Sequence, residues 1–176
     1  GFRSGVDWHY EFADQEHLFY LNRFAYAPVL AKAFLYTGDP AYVGALMRLL
    51  EDWGQRNPPG DPRTWESYSV AERICNWTLT AYLLQTSADF QGFLRRWLFP
   101  ELARHATYLA GHLETGTMHN HLINDGRALF IYGLSFPHLD GSEACRRLGW
   151  EILTREMPRQ TRPDGVFREQ STHYHL

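Results

Sequence analysis

The chain has 176 residues, of which 44% are hydrophobic, 15% aromatic and 21% charged, with a formal net charge of −3. These values describe one globular domain, long enough to bury roughly 70% of its unfolded surface, and they exclude a disordered or low-complexity chain. No global basic field is present, which argues against nucleic acid as a partner, and no apolar run approaches the ~20 residues of a membrane span.

The apolar pattern is helical almost throughout. Residues 14–37 read as one helix with an entry or kink at Pro28, whose missing N–H forbids a regular interior turn. Asp39 followed by Pro40 is an N-cap and first-turn proline, and Val43, Leu46, Met47, Leu50 and Trp53 recur at spacings of three and four until Asn57-Pro58-Pro59-Gly60 ends the helix. Ser69 and Glu72 are spaced as a capping box ahead of the stripe Val70, Ile74, Trp77, Ala81 and Leu84. A long helix follows over about 87–113, bent or split at Pro100, then one over about 121–134 and one over about 142–159. Strand alternation is missing over any useful length. The expectation is an all-α chain of about six or seven helices joined by short loops, so that successive helices pack as antiparallel hairpins. An open solenoid and a closed toroid of hairpins fit this pattern equally.

Six Trp, ten Tyr and eleven Phe suit both a packed core and platforms for sugar rings. Lys32 is the only lysine among 17 basic residues. Arginine grips carboxylate or sulfate through paired hydrogen bonds, although Arg-rich codon usage gives the same bias. Cys75 and Cys145 are too few for a disulfide framework or a zinc site.

Polar residues gather in two places. Thr117-Met-His119-Asn120-His121 precedes the apolar helix Leu122, Ile123, Ala128, Leu129, Ile131 and Tyr132, which makes Asn120 a natural N-cap. A helix entrance also favours a nearby anion such as a uronate carboxylate. Asp164-Gly165 reads as a tight turn ahead of Glu169, His173, Tyr174 and His175. The bland alternative is a cap flanked by surface histidines. A metal set could be drawn from His119 and His121, or from Glu169, His173 and His175, but neither has the helical pair of a zinc protease, and no metal or other cofactor is expected.

Several stretches occur together in order: Asn22-Arg23, Trp65-Glu-Ser-Tyr68, Arg73-Ile-Cys-Asn76-Trp77, Asn120-His121-Leu122, Phe136-Pro137, Asp164-Gly165, and Glu169-Gln-Ser171-Thr-His-Tyr174-His175. In this order they resemble the N-terminal catalytic domain of bacterial heparinase II/III-like polysaccharide lyases. The resemblance implies that residues 1–176 form a single helical domain, part of an incomplete (α/α) toroid followed in the parent protein by an antiparallel β-sandwich domain. It implies an anionic, uronic-acid-containing polysaccharide as substrate and a periplasmic or secreted location. It also implies that Asn120 neutralises the substrate carboxylate, that His121 acts as base or charge stabiliser, and that Tyr174 gives a proton to the leaving oxygen. Trp65, Tyr68, Arg73, His119, Glu169 and His175 are candidate substrate contacts. The family often has Asn where His119 stands and an acid where Asn124 stands, which leaves the substrate class open.

The chemistry suits these groups. The C5 proton of a uronate is hard to remove while the adjacent carboxylate is charged, and an amide donor lets the charge spread without itself losing a proton. Because the chain starts at Gly1 and Tyr174 falls near its end, it reads as a piece of a longer protein with an incomplete site. A glycoside hydrolase using Asp125 with Glu169 or Glu72, and a non-catalytic helical domain binding glycan or protein, are the competing expectations.

Overall fold

The computed structural model describes residues 5–116 and 120–168. Eight α-helices follow in order among these residues: α1 (Gln15–Arg23), α2 (Ala27–Thr37), α3 (Pro40–Arg56), α4 (Ser67–Leu84), α5 (Ala88–Phe93), α6 (Phe99–Gly111), α7 (Asn120–Ser135) and α8 (Ser142–Gln160). The described residues contain no strand beyond an isolated bridge between Thr161 and Phe167, and no helix long and apolar enough to cross a membrane.

Local chemistry places most of the boundaries. The Asp39 side chain accepts from the Ala41 N–H at 2.9 Å and Pro40 opens α3, as the spacing predicts. The expected single helix over 14–37 is two helices. The break is at Phe24, which takes a left-handed φ of 60°, and Pro28 falls in the first turn of α2, where its missing N–H is not needed. The burial of Phe24 against Trp8, Trp53 and Trp77 holds this non-glycine residue in a conformation it would otherwise avoid.

The expected Ser69–Glu72 box is not the cap of α4. Glu66 caps it instead, accepting from the Tyr68 and Ser69 N–H groups at 2.9 Å each, while Ser69 is buried and its hydroxyl accepts from Arg23 Nε at 3.3 Å. Over 87–113 the backbone is nearly continuous. A π-helical turn, Leu94–Leu98, joins α5 to α6, with the Phe99 N–H reaching back to the Leu94 carbonyl. The wider turn leads into Pro100, which sits in the first turn of α6.

The core is aromatic. Trp53, Trp65, Trp77, Phe24 and Phe90 are fully enclosed, together with the aliphatic stripes of α3, α4 and α6. Arg73 lies among them with no exposed surface. Its guanidinium covers the Trp53 ring at 4.0 Å, its Nε donates to His105 Nε2 at 3.0 Å, and its Nη1 donates to the Asn22 carbonyl at 2.7 Å. Burial pushes the guanidinium down to about 9, so it stays charged at neutral pH, and it keeps His105 well below the ordinary histidine range after burial has done most of that work. Indole faces here take the place that a carboxylate partner usually fills.

Helices α7 and α8 form the tightest pair. They run antiparallel, since Gly126 meets Ile152 and Gly149 while Gly133 meets Ser142 and Arg146. A Cβ built on Gly149 would lie 2.5 Å from both the Gly126 carbonyl oxygen and the Phe130 nitrogen. The glycines therefore let backbone meet backbone.

Candidate functional site

Asn120 is the first described residue of α7 and is itself helical, so it is not the N-cap that the sequence suggests. Its Oδ1 is buried and has no hydrogen-bond partner, which also rules out capping by that atom. His121 is half-exposed and its Nδ1 meets a carboxylate oxygen of Glu114, in the loop between α6 and α7. The Tyr68 ring lies against the imidazole with centroids 4.7 Å apart. Arg23 in turn covers Tyr68 at 4.8 Å, so α1, α4 and α7 converge at one place.

Below His121 by one turn is Asp125, fully buried, whose Oδ2 accepts from the Glu114 N–H at 3.0 Å and whose Oδ1 has no partner. Burial raises this carboxyl to about 7. The bond from Glu114 N–H works against the shift, and the Glu114 and Glu66 carboxylates add to it. Adjacent Asn124 is also buried, with its Nδ2 unpartnered. Glu66, Glu114 and His121 bring one donor atom each within 4.8 Å of one another. They are the described residues able to share a cation, although Glu66 already uses both oxygens to cap α4 and Glu114 already holds His121.

The raised Asp125 sets a pH dependence with a definite sign. The folded protein holds this proton up to about pH 7, whereas an ordinary aspartate releases it at 3.8. Stability attached to the group is thus fully present below 3.8, falls as the pH rises toward about 7, and stays low above it. Asp125→Asn is expected to stabilise the fold by about 2–4 kcal/mol at pH 8 and by little at pH 4. Urea unfolding at the two pH values measures this, and an equal effect at both would show that Asp125 ionises normally.

The structure separates the other sequence candidates. Tyr68 is at the site. Trp65 and Arg73 are not on a cleft: Trp65 is 1% exposed, stacks on His105 at 4.4 Å and donates to the Asn57 carbonyl at 3.0 Å, while Arg73 is wholly enclosed. Both are core residues, drawn in because an indole and a guanidinium stacked together bury more surface than either could alone. His119, Glu169, Tyr174 and His175 lie outside the described residues. Of the carboxyls considered for hydrolysis, Asp125 is sealed from solvent and Glu72 is paired with Arg127, so neither is presented as a free acid.

Glu114 and Glu66 were not singled out by the sequence. Glu66 sits inside the Trp65–Tyr68 motif without a periodic signal, and Glu114 comes to His121 only because the loop folds back. Asp125 was named only as a hydrolase acid, and its place beside His121 follows from the i+4 spacing on one helix face.

The chain matches known proteins along its whole length. The family profile described as Heparinase II/III N-terminus covers residues 2–176. A heparin-sulfate lyase of Bacteroides thetaiotaomicron is 29% identical over 183 residues, covering 98% of this chain and 25% of that protein. One of Pedobacter heparinus is 29% identical over 170 residues, covering 93% and 25%. Among solved structures, a crystal structure of heparinase III aligns over 98% of the chain and 27% of its own, with a TM-score of 0.88 and 27% identity. The heparan sulfate lyase HepC from Pedobacter heparinus aligns over 97% and 27%, with a TM-score of 0.80 and 28% identity. The helices are thus part of the incomplete (α/α) toroid expected from the sequence, and the chain spans about a quarter of the length of these relatives. On this match, the chain belongs to the heparinase II/III N-terminal family.

Proposed function

We propose that this chain is the N-terminal part of a polysaccharide lyase that cleaves a uronic-acid-containing polymer by β-elimination. The observation that carries the reading is the pairing of an amide and a half-exposed imidazole at the entrance of α7, with Asn120 Oδ1 unpartnered and His121 held by Glu114 and Tyr68. The match to lyases over nearly the whole chain supports it.

In the reaction, the Asn120 amide donates to the substrate carboxylate, so that charge released at C5 spreads into an enolate-like form. His121 and Tyr174 divide removal of the C5 proton and protonation of the C4 oxygen as that bond breaks. The products are a free hydroxyl end and a C4–C5 double bond conjugated to the carboxylate. The remainder of the parent protein, including an antiparallel β-sandwich domain, completes the cleft, and the parent works in the periplasm or outside the cell.

A screen of the full-length parent against heparan sulfate, heparin, hyaluronan and alginate tests the reading. The expected result is ultraviolet absorbance from an unsaturated uronate on at least one polymer. Cleavage that yields saturated ends would establish a hydrolase instead.

A further inference from the structure

We infer that Glu114 is the positioning residue of His121, fixing the imidazole with its proton on Nδ1 and presenting Nε2 to the substrate, and that Asp125 anchors Glu114 in place. This rests on the elimination reading for the role of His121, but not for the geometry of the ring.

Glu114 sits in a loop, where a side chain usually has little reason to keep one direction. Here its backbone N–H is tied to Asp125 Oδ2 at 3.0 Å, and Asp125 is wholly buried one turn along α7 from His121. Helix α7 therefore supplies both the ring and the anchor of the group that holds it. The Glu114 carboxylate meets Nδ1, and a carboxylate only accepts, so the proton at that nitrogen belongs to the histidine.

The other carboxylate nearby is already engaged in capping α4. Glu66 also lies within 4.8 Å, but both of its oxygens accept from backbone N–H groups of α4. Tyr68 packs against the ring, with planes inclined by 55°. With Nδ1 engaged, any proton that His121 takes or gives in the reaction passes through Nε2. Asp125 has no exposed surface and the Glu114 carboxylate is turned to Nδ1. They act through the histidine, as outer carboxylates do in catalytic dyads and around metal-bound imidazoles.

Two measurements on the full-length parent decide the matter. In steady-state kinetics, Glu114→Ala should lower kcat by about 10–100-fold with KM within about twofold, and Glu114→Gln, which keeps an acceptor at the same place, should lose less. In nitrogen-15 spectra of histidine-labelled protein, with the His121 signals identified from a His121→Gln sample, the wild type should show the Nδ1–H form. Glu114→Ala should shift it toward Nε2–H. Unchanged kcat in an active protein, or an unchanged tautomer in Glu114→Ala, would overturn the inference. A parent without lyase activity would remove the elimination reading, and the tautomer would then decide the positioning on its own. Circular dichroism of the variants separates a lost contact from a lost fold.

Discussion

Replacing Asn120 with alanine in the full-length parent should lower turnover by about 10²–10³, the usual worth of one preorganised donor at a developing negative charge. The amide stands at the entrance of α7 with a buried, unpartnered oxygen, so its position is set by the helix and not by a cap interaction. His121→Ala and Tyr174→Phe should each cost about 10²–10⁴, because each removes a proton-transfer group. Helicity should persist in all three. His121 is half-exposed, and neither it nor Asn120 belongs to the hydrophobic core around Trp53. Normal kcat in any one variant would remove that residue from the mechanism. Loss of KM alone would reassign Asn120 to ground-state binding.

The second large effect is structural. Gly149→Ala places a methyl group 2.5 Å from two backbone atoms of α7, where no rotamer change can relieve it. The helices must separate, and overpacking of this kind costs about 3 kcal/mol. Gly111→Ala is the control, since nothing lies within 4 Å of the added carbon, and its effect should stay within about 1 kcal/mol. Thermal or urea unfolding compares the two. If Gly149→Ala unfolds with the wild-type midpoint, the close α7–α8 approach is not required. Because α7 also carries Asn120 and His121, the destabilised variant should lose activity beyond its loss of folded protein.

How much of this was readable in advance depends on the range of the interactions. Helix α3 was legible to the residue, because Asp39, Pro40 and the stripe ending at Trp53 are local signals. Helix α7 was legible to within one residue at its C-terminal end. The division of 14–37 was not, since Phe24 adopts its left-handed turn only under the packing of three tryptophans distant in sequence. The cap of α4 was misplaced by similar logic: Ser69 and Glu72 have the right spacing, but Ser69 is needed inside, against Arg23.

The site divides along the same line. The sequence by itself determined an all-α chain, its family resemblance and the pairing of Asn120 with His121, because helix periodicity, turn residues and adjacent polar side chains are properties of short segments. Only the tertiary structure decided that Trp65 and Arg73 are core while Tyr68 reaches the histidine, and that Glu114, Glu66 and Asp125 surround it. Burial and long-range contact follow from how helices cross, and a one-dimensional pattern holds no record of which face of α4 will meet α7.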